Sequence, residues 1–110
     1  YYERGITLNA LERYEEAIVD FTKAIEINPN YVDAYYERGV SNFYLKFYLK
    51  AIVDFTKAME INPNNGWYYF SRGWAKKMLK DKSACIDAKK SIDLGYIDPL
   101  NLDWVKRNCR

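Results

Sequence analysis

Ala17–Asn30 reads "AIVDFTKAIEINPN" and Ala51–Asn64 reads "AIVDFTKAMEINPN"; thirteen of fourteen letters agree, at a spacing of thirty-four positions. Self-similarity at a fixed spacing of this length marks a repeat architecture, in which each unit is one supersecondary element stacked on the next. The repeated stretch has helical spacing. Ala17, Phe21, Ala24 and Ile25 share a face, with Ile18 beside them. Asn28-Pro29 closes that helix and Asn62-Pro63 closes its copy, because the residue before a proline avoids the helical region.

Working outward, "YYERG" occurs at Tyr1 and again at Tyr35, and a weaker third copy, "YYFSRGWAKKMLKDKSACIDAKKSIDLG", begins at Tyr68. Gly39 lies twelve positions before Ala51 whereas Gly73 lies eleven before Ala84, so the third unit has lost one residue from its internal turn. The first half of the second unit, Val32 to about Leu45, predicts a helix with two apolar faces. Tyr35, Gly39 and Leu45 mark one; Tyr36, Val40, Phe43 and Tyr44 mark the other. One hairpin cannot bury both faces, so neighbouring hairpins must stack. Small residues (Gly39, Ala51, Ala58) allow close helix approach.

A helix–turn–helix of this period with an early aromatic and Gly, then Ala, Phe, Ala and Pro, resembles the tetratricopeptide repeat. Tyr1, Tyr35 and Tyr69 match the aromatic, and Gly5, Gly39 and Gly73 match the Gly. Ala17, Phe21, Ala24 and Pro29, then Ala51, Phe55, Ala58 and Pro63, match the later positions. The chain departs from the pattern at Arg4, Arg38 and Arg72, where Leu is usual, and at Leu8, Asn42 and Lys76, where Tyr is usual. Its third unit has Ala84, Ala88 and Ser91 with no closing proline. The resemblance implies an all-α, right-handed superhelical solenoid of antiparallel hairpins with about seven helices. We divide the single domain, 1–110, into repeat one at 1–31, repeat two at 32–65, repeat three at 66–96 and a capping helix at 98–109. Asp98-Pro99 starts the cap, with Asp as N-cap and Pro at the first helical position. Leu102, Val105 and Cys109 give it one apolar stripe. The chain opens inside its own repeat and without Met, so repeat one lacks its first few positions and upstream sequence is expected.

Composition narrows the function. Residues 1–65 hold 7 Lys/Arg against 10 Asp/Glu, a balance of −3, and residues 66–110 hold 10 against 5, a balance of +5. That uneven distribution suits oriented stacking or an acidic partner better than nucleic acid, and related RNA-binding helical repeats use a slightly longer period and a basic groove. The chain has no His, no Gly-rich phosphate loop and no metal-ligand spacing, so no catalytic set, metal or cofactor is expected. It contains no signal peptide, lipidation motif or apolar run of membrane-spanning length, so no membrane insertion is expected.

In the resembled family the first helix of each repeat lines a concave groove that holds peptides or partner helices. Carried over by position, the lining is Tyr2, Ile6 and Asn9; then Asp33, Tyr36, Val40, Phe43 and Tyr44; then Trp67, Phe70, Trp74, Lys77 and Met78. Trp and Tyr offer large contact area with few torsions to freeze, which suits a binding surface. The plainer reading is that some of these rings only pack helix on helix. A well-known family variant grips chaperone C-terminal carboxylates with Lys, Asn and Arg at inward positions. Here Tyr2, Ile6, Glu37, Trp67 and Ser71 occupy them, which implies a protein or peptide with apolar anchors and an acidic group for Lys77. The expected function is non-catalytic partner binding. The alternative is a homo-oligomer that stacks through its groove or its N-terminal face.

Arg4, Arg38 and Arg72 recur with Asp20, Asp54 and Asp87, which reads as a structural ladder in preference to an anion site. Cys85 and Cys109 each lie ten positions from the turn between Gly95 and Pro99, about 15 Å along their helices at about 1.5 Å per residue. A disulfide and a pair of idle thiols both fit that geometry. Thiols would suit a cytoplasmic protein, and a bridge a periplasmic or extracellular one.

Overall fold

A computed structural model describes residues 1–109. They form α1 (Tyr2–Ala10), α2 (Tyr14–Ile27), α3 (Val32–Tyr44), α4 (Tyr48–Ile61), α5 (Gly66–Met78), α6 (Ala84–Asp93) and α7 (Pro99–Asn108), with no strand among the described residues. The helices pair as antiparallel hairpins, α1 with α2, α3 with α4 and α5 with α6. The hairpins stack in chain order into a body of 42 × 24 × 20 Å. No helix among the described residues is long and apolar enough to cross a membrane.

Each first helix ends in the same way. Lys46 N–H donates to the Phe43 carbonyl (2.9 Å) and Phe47 N–H to the Asn42 carbonyl (2.8 Å), the paired bonds of a Schellman motif. That motif needs a left-handed residue, and here it is Glu12 (φ 60°), Lys46 (φ 65°) and Lys80 (φ 57°), spaced at the repeat interval. Helix α7 begins on the Asp98 side chain, which accepts from Asn101 N–H at 2.9 Å, and ends at Asn108, leaving Cys109 as an extended C-cap residue. The shortened third repeat starts α6 only at Ala84, after a turn in which the Asp81 side chain accepts from Ser83 N–H at 2.9 Å.

The hairpins close on small residues beneath aromatic ones. A Cβ placed on Gly5 would stand 2.6 Å from the Phe21 ring, and one on Gly39 would stand 2.6 Å from the Phe55 ring. Both rings are fully enclosed with Ala17, Ala34, Ala51 and Ala58. In the third hairpin the position corresponding to Phe55 is Ala88. The buried Asn101 side chain of α7 donates to the Ala88 carbonyl (3.2 Å) and to Ser91 Oγ (3.1 Å) of that hairpin.

Charge sets the register. Arg38 donates through Nε (3.0 Å) and Nη2 (2.8 Å) to the two oxygens of Asp54, and through Nη1 to Thr22 Oγ1 on the preceding hairpin (3.2 Å). Arg72 repeats this with Asp87 (2.8 and 2.7 Å) and Thr56 (3.2 Å), and Arg4 grips Asp20 at 2.7 and 2.8 Å. Cys85 and Cys109 are joined as a disulfide with Cα atoms 5.6 Å apart, tying α6 to α7.

Gly39→Ala has no room beneath an immobile ring, so we expect a loss of about 1–3 kcal/mol despite the better helix propensity of Ala, seen as a lower Tm at unchanged helical content. The Arg4 guanidinium holds the Asp20 carboxyl below the usual range by hydrogen bonding, against the opposing effect of burial. Its stabilisation is therefore fully present above the unfolded value of about 4 and is lost as pH falls through the lower folded value. Urea titrations between neutral and acid pH should show a steeper acid loss for the wild type than for Arg4→Ala. Reduction of the bridge should cost about 3 kcal/mol, read as a lower Tm in reductant that Cys85→Ser/Cys109→Ser does not show.

Candidate functional site

Helical spacing puts Tyr36, Val40, Phe43 and Tyr44 on one side of α3, and Trp67, Phe70, Ser71 and Trp74 on the facing side of α5. Together they wall a cleft of about 480 Å³, floored by Phe55 from α4. The rings touch in sequence. Trp67 stacks on Phe70 with centroids 5.7 Å apart, and Phe70 meets Trp74 at 5.9 Å. Tyr36 reaches Trp67 at 6.3 Å and Tyr68 at 5.3 Å. Tyr44 lies flat on Tyr14 at 5.2 Å, which brings an α2 residue to the rim. Exposure is high for rings of this size, at 59 % for Tyr44, 38 % for Trp67 and 36 % for Trp74. The Tyr36 hydroxyl pairs with Ser71 Oγ at 3.2 Å, and burial pushes its pKa up to about 12, so it remains a neutral hydrogen-bonding group.

Several residues assigned to the groove by position have other surroundings. Tyr2 packs on Tyr31 (4.9 Å) and Phe21 (5.9 Å), beyond the walled cleft. Asn9 is engaged in joining α1 to α3. Its Oδ1 accepts from Ser41 Oγ at 2.6 Å and its Nδ2 donates to the Glu37 carbonyl at 3.4 Å. Ile6 is half-buried on α1 and Met78 is exposed at the end of α5; neither lines the cleft. Lys77 is not free to meet an acidic partner group. Its ammonium sits between the Trp74 ring (4.7 Å) and the Trp104 ring of α7 (4.0 Å), and donates to Asn101 Oδ1 at 3.5 Å. Desolvation there lowers its pKa.

Position-by-position reasoning passed over Tyr96 and Trp104. Tyr96 packs against Trp67 at 4.8 Å and Phe70 at 5.0 Å, extending the aromatic surface from the α6–α7 connection. The only sequence signal for it is its place after Gly95, whose φ of 93° turns the chain back over α5. Trp104 lies off the apolar stripe of α7, and nothing local marks it as the partner of Lys77.

No group of His, Cys, Asp or Glu among the described residues could hold a metal ion. The Arg–Asp pairs are closed on each other and on Thr22 and Thr56, with side-chain exposure of 22 % for Arg38 and 20 % for Arg72. They are structural groups, and they leave the aromatic cleft between α3 and α5 as the candidate site.

Two tetratricopeptide repeat models match the chain, one over residues 1–31 and the other over 32–65. No curated protein matches it. Among solved structures, the first such domain of Spaghetti (RPAP3), bound to the HSP90 peptide SRMEEVD, is 23 % identical with a TM-score of 0.90, covering 96 % of this chain and 85 % of that one. The domain of Arabidopsis OM64 is 26 % identical with a TM-score of 0.91, covering 98 % and 90 %. The second such domain of human RPAP3, in complex with the HSP70 peptide SGPTIEEVD, is 19 % identical with a TM-score of 0.88, covering 98 % and 91 %. With two repeat models spanning residues 1–65 and the same solenoid along nearly its whole length, this chain belongs to the tetratricopeptide repeat family, a family of protein-interaction repeats.

Proposed function

We propose that this domain is a non-catalytic adaptor that holds an extended peptide or helix of a partner protein in the cleft between α3 and α5. The observation that carries this reading is the run of half-exposed rings, Tyr44, Trp67, Phe70 and Trp74, over an enclosed Phe55 floor. Aromatic side chains in this state bury large area on contact and lose little rotamer freedom, the usual property of binding hot spots. Two of the structural neighbours named above, both RPAP3 domains, hold chaperone peptides ending in EEVD, which supports peptide binding as a use of this fold. The partner chemistry differs here. Glu37 and Trp67 occupy inward positions where a carboxylate clamp needs cations, so apolar anchors take the place of an acidic tail.

Affinity capture from native lysate tests the proposal, comparing the intact domain with Tyr44→Ala/Trp74→Ala. Helicity of the variant is checked first by circular dichroism. Each truncated ring should cost about 1–3 kcal/mol of binding, so a specific partner should be retained by the intact domain and lost by the double variant. Recovery of the domain alone, indifferent to these changes, would replace this reading with self-assembly through the repeat ends.

A further inference from the structure

At the α1 end of the groove two carboxylates stand without a cation. Asp20, Asp54 and Asp87 are each matched by Arg. Asp33 and Glu37 are not matched by any Lys or Arg among the described residues. They lie four positions apart on α3 and so project from one face, an arrangement in which like charges repel. Glu37 is half-buried, and that burial raises its carboxyl pKa; Asp33 adds to the rise and a hydrogen bond from Asn9 opposes it. The aromatic surroundings are independent of this charge pattern. Tyr2 packs at a tilt on Tyr31 with centroids 4.9 Å apart; burial, with the Glu37 and Asp33 charges adding to it, pushes the Tyr2 phenol up to about 12. Tyr36, the residue before Glu37 on α3, lines the cleft and meets Trp67 at 6.3 Å.

Negative charge bordered by aromatic faces is chemistry for an organic cation. An ammonium or guanidinium gains from the ring quadrupole and from charge-assisted hydrogen bonds together. We propose that the partner segment carries a Lys or Arg that seats beside Tyr2 against the Asp33–Glu37 pair, with its apolar anchors running on between α3 and α5. This rests on the groove reading above and adds its polarity. Packed helices lie about 8–10 Å apart, and extended chain covers about 3.3 Å per residue. The basic residue should therefore precede or follow the first apolar anchor by about three positions. The acidic peptides held by the structural neighbours would meet repulsion at this end.

The test is to pan a random dodecapeptide display library on the full chain and measure the selected peptides by fluorescence anisotropy. The partners are wild type, Glu37→Gln and Trp74→Ala, with SRMEEVD as the counter-probe. We expect selected peptides to share a Lys or Arg about three positions from an aromatic or aliphatic anchor. Replacing that residue by Gln should weaken binding about tenfold, Glu37→Gln should weaken the parent peptide similarly, and the two changes together should add little more. SRMEEVD should not compete. Selected peptides that need Trp74 but are indifferent to their own charge and to Glu37 would overturn this inference and leave the groove reading standing. Peptides indifferent to Trp74→Ala, or failure to select any binder, would overturn both.

Discussion

The fork between Arg38 and Asp54 is the contact on which the rest of the solenoid depends. Two nitrogens of the guanidinium close its own hairpin onto both carboxylate oxygens, and the third reaches Thr22 on the hairpin before. One planar group therefore fixes the pairing of α3 with α4 and the offset between successive hairpins. A lysine could supply the charge but not the three directions. The same unit recurs with Arg72, Asp87 and Thr56, where Lys76 adds a second cation at 3.0 Å. Asn42 adds a neutral donor to Asp54 at 3.2 Å. Desolvating such pairs offsets much of their attraction, so their contribution lies in specifying register more than in adding net stability. Register decides whether the aromatic side of α3 faces that of α5 across a cleft or is buried against it.

The floor of that cleft is also the core of the second hairpin. Phe55 fits beneath α3 because Gly39 leaves no Cβ there, and the same ring closes the bottom of the surface formed by Tyr36 and Trp67. Groove and core thus share a residue, and the groove walls inherit the rigidity of the packed interior. A site on helices held in this way needs little reorganisation when a ligand arrives, which leaves more of the aromatic contact energy available as affinity.

The fold was legible in the sequence wherever its determinant recurs at the repeat interval. Gly5 and Gly39 opposite Phe21 and Phe55, the Asn-Pro stops, and the pairing of Arg with Asp are all periodic, so each copy checks the other. The α3 wall was legible from helical spacing, which assigns Tyr36, Val40, Phe43 and Tyr44 to one side; the α5 wall came from the resemblance to the tetratricopeptide repeat. Most of what escaped is not periodic. Asn9 and Lys77 are polar residues at inward positions, but Ser41 and Glu37 engage the first, and Trp104 and Asn101 the second. Those partners are set by the α1–α3 and α5–α7 packing, which no local pattern encodes. Glu12, Lys46 and Lys80 recur yet escaped as well, because a left-handed position is usually read from Gly or Asn and these are neither.

Helix α7 bears on the site as well as on the third hairpin. From Cys85, the bridge to Cys109 fixes the far end of α7, and α7 carries Trp104 to within 4.0 Å of the Lys77 ammonium. That ammonium lies 4.7 Å from Trp74, a ring of the cleft wall. Asn101 anchors the near end of the same helix to the third hairpin, through the Ala88 carbonyl and Ser91 Oγ. The exposure of Trp74, and with it the shape of the groove at its C-terminal end, is therefore set by where α7 sits. The third hairpin has Ala88 where the first two have Phe, and no closing proline. Helix α7 is anchored to that hairpin through Asn101, and its Trp104 and Asn101 also hold Lys77 beside the Trp74 wall of the cleft.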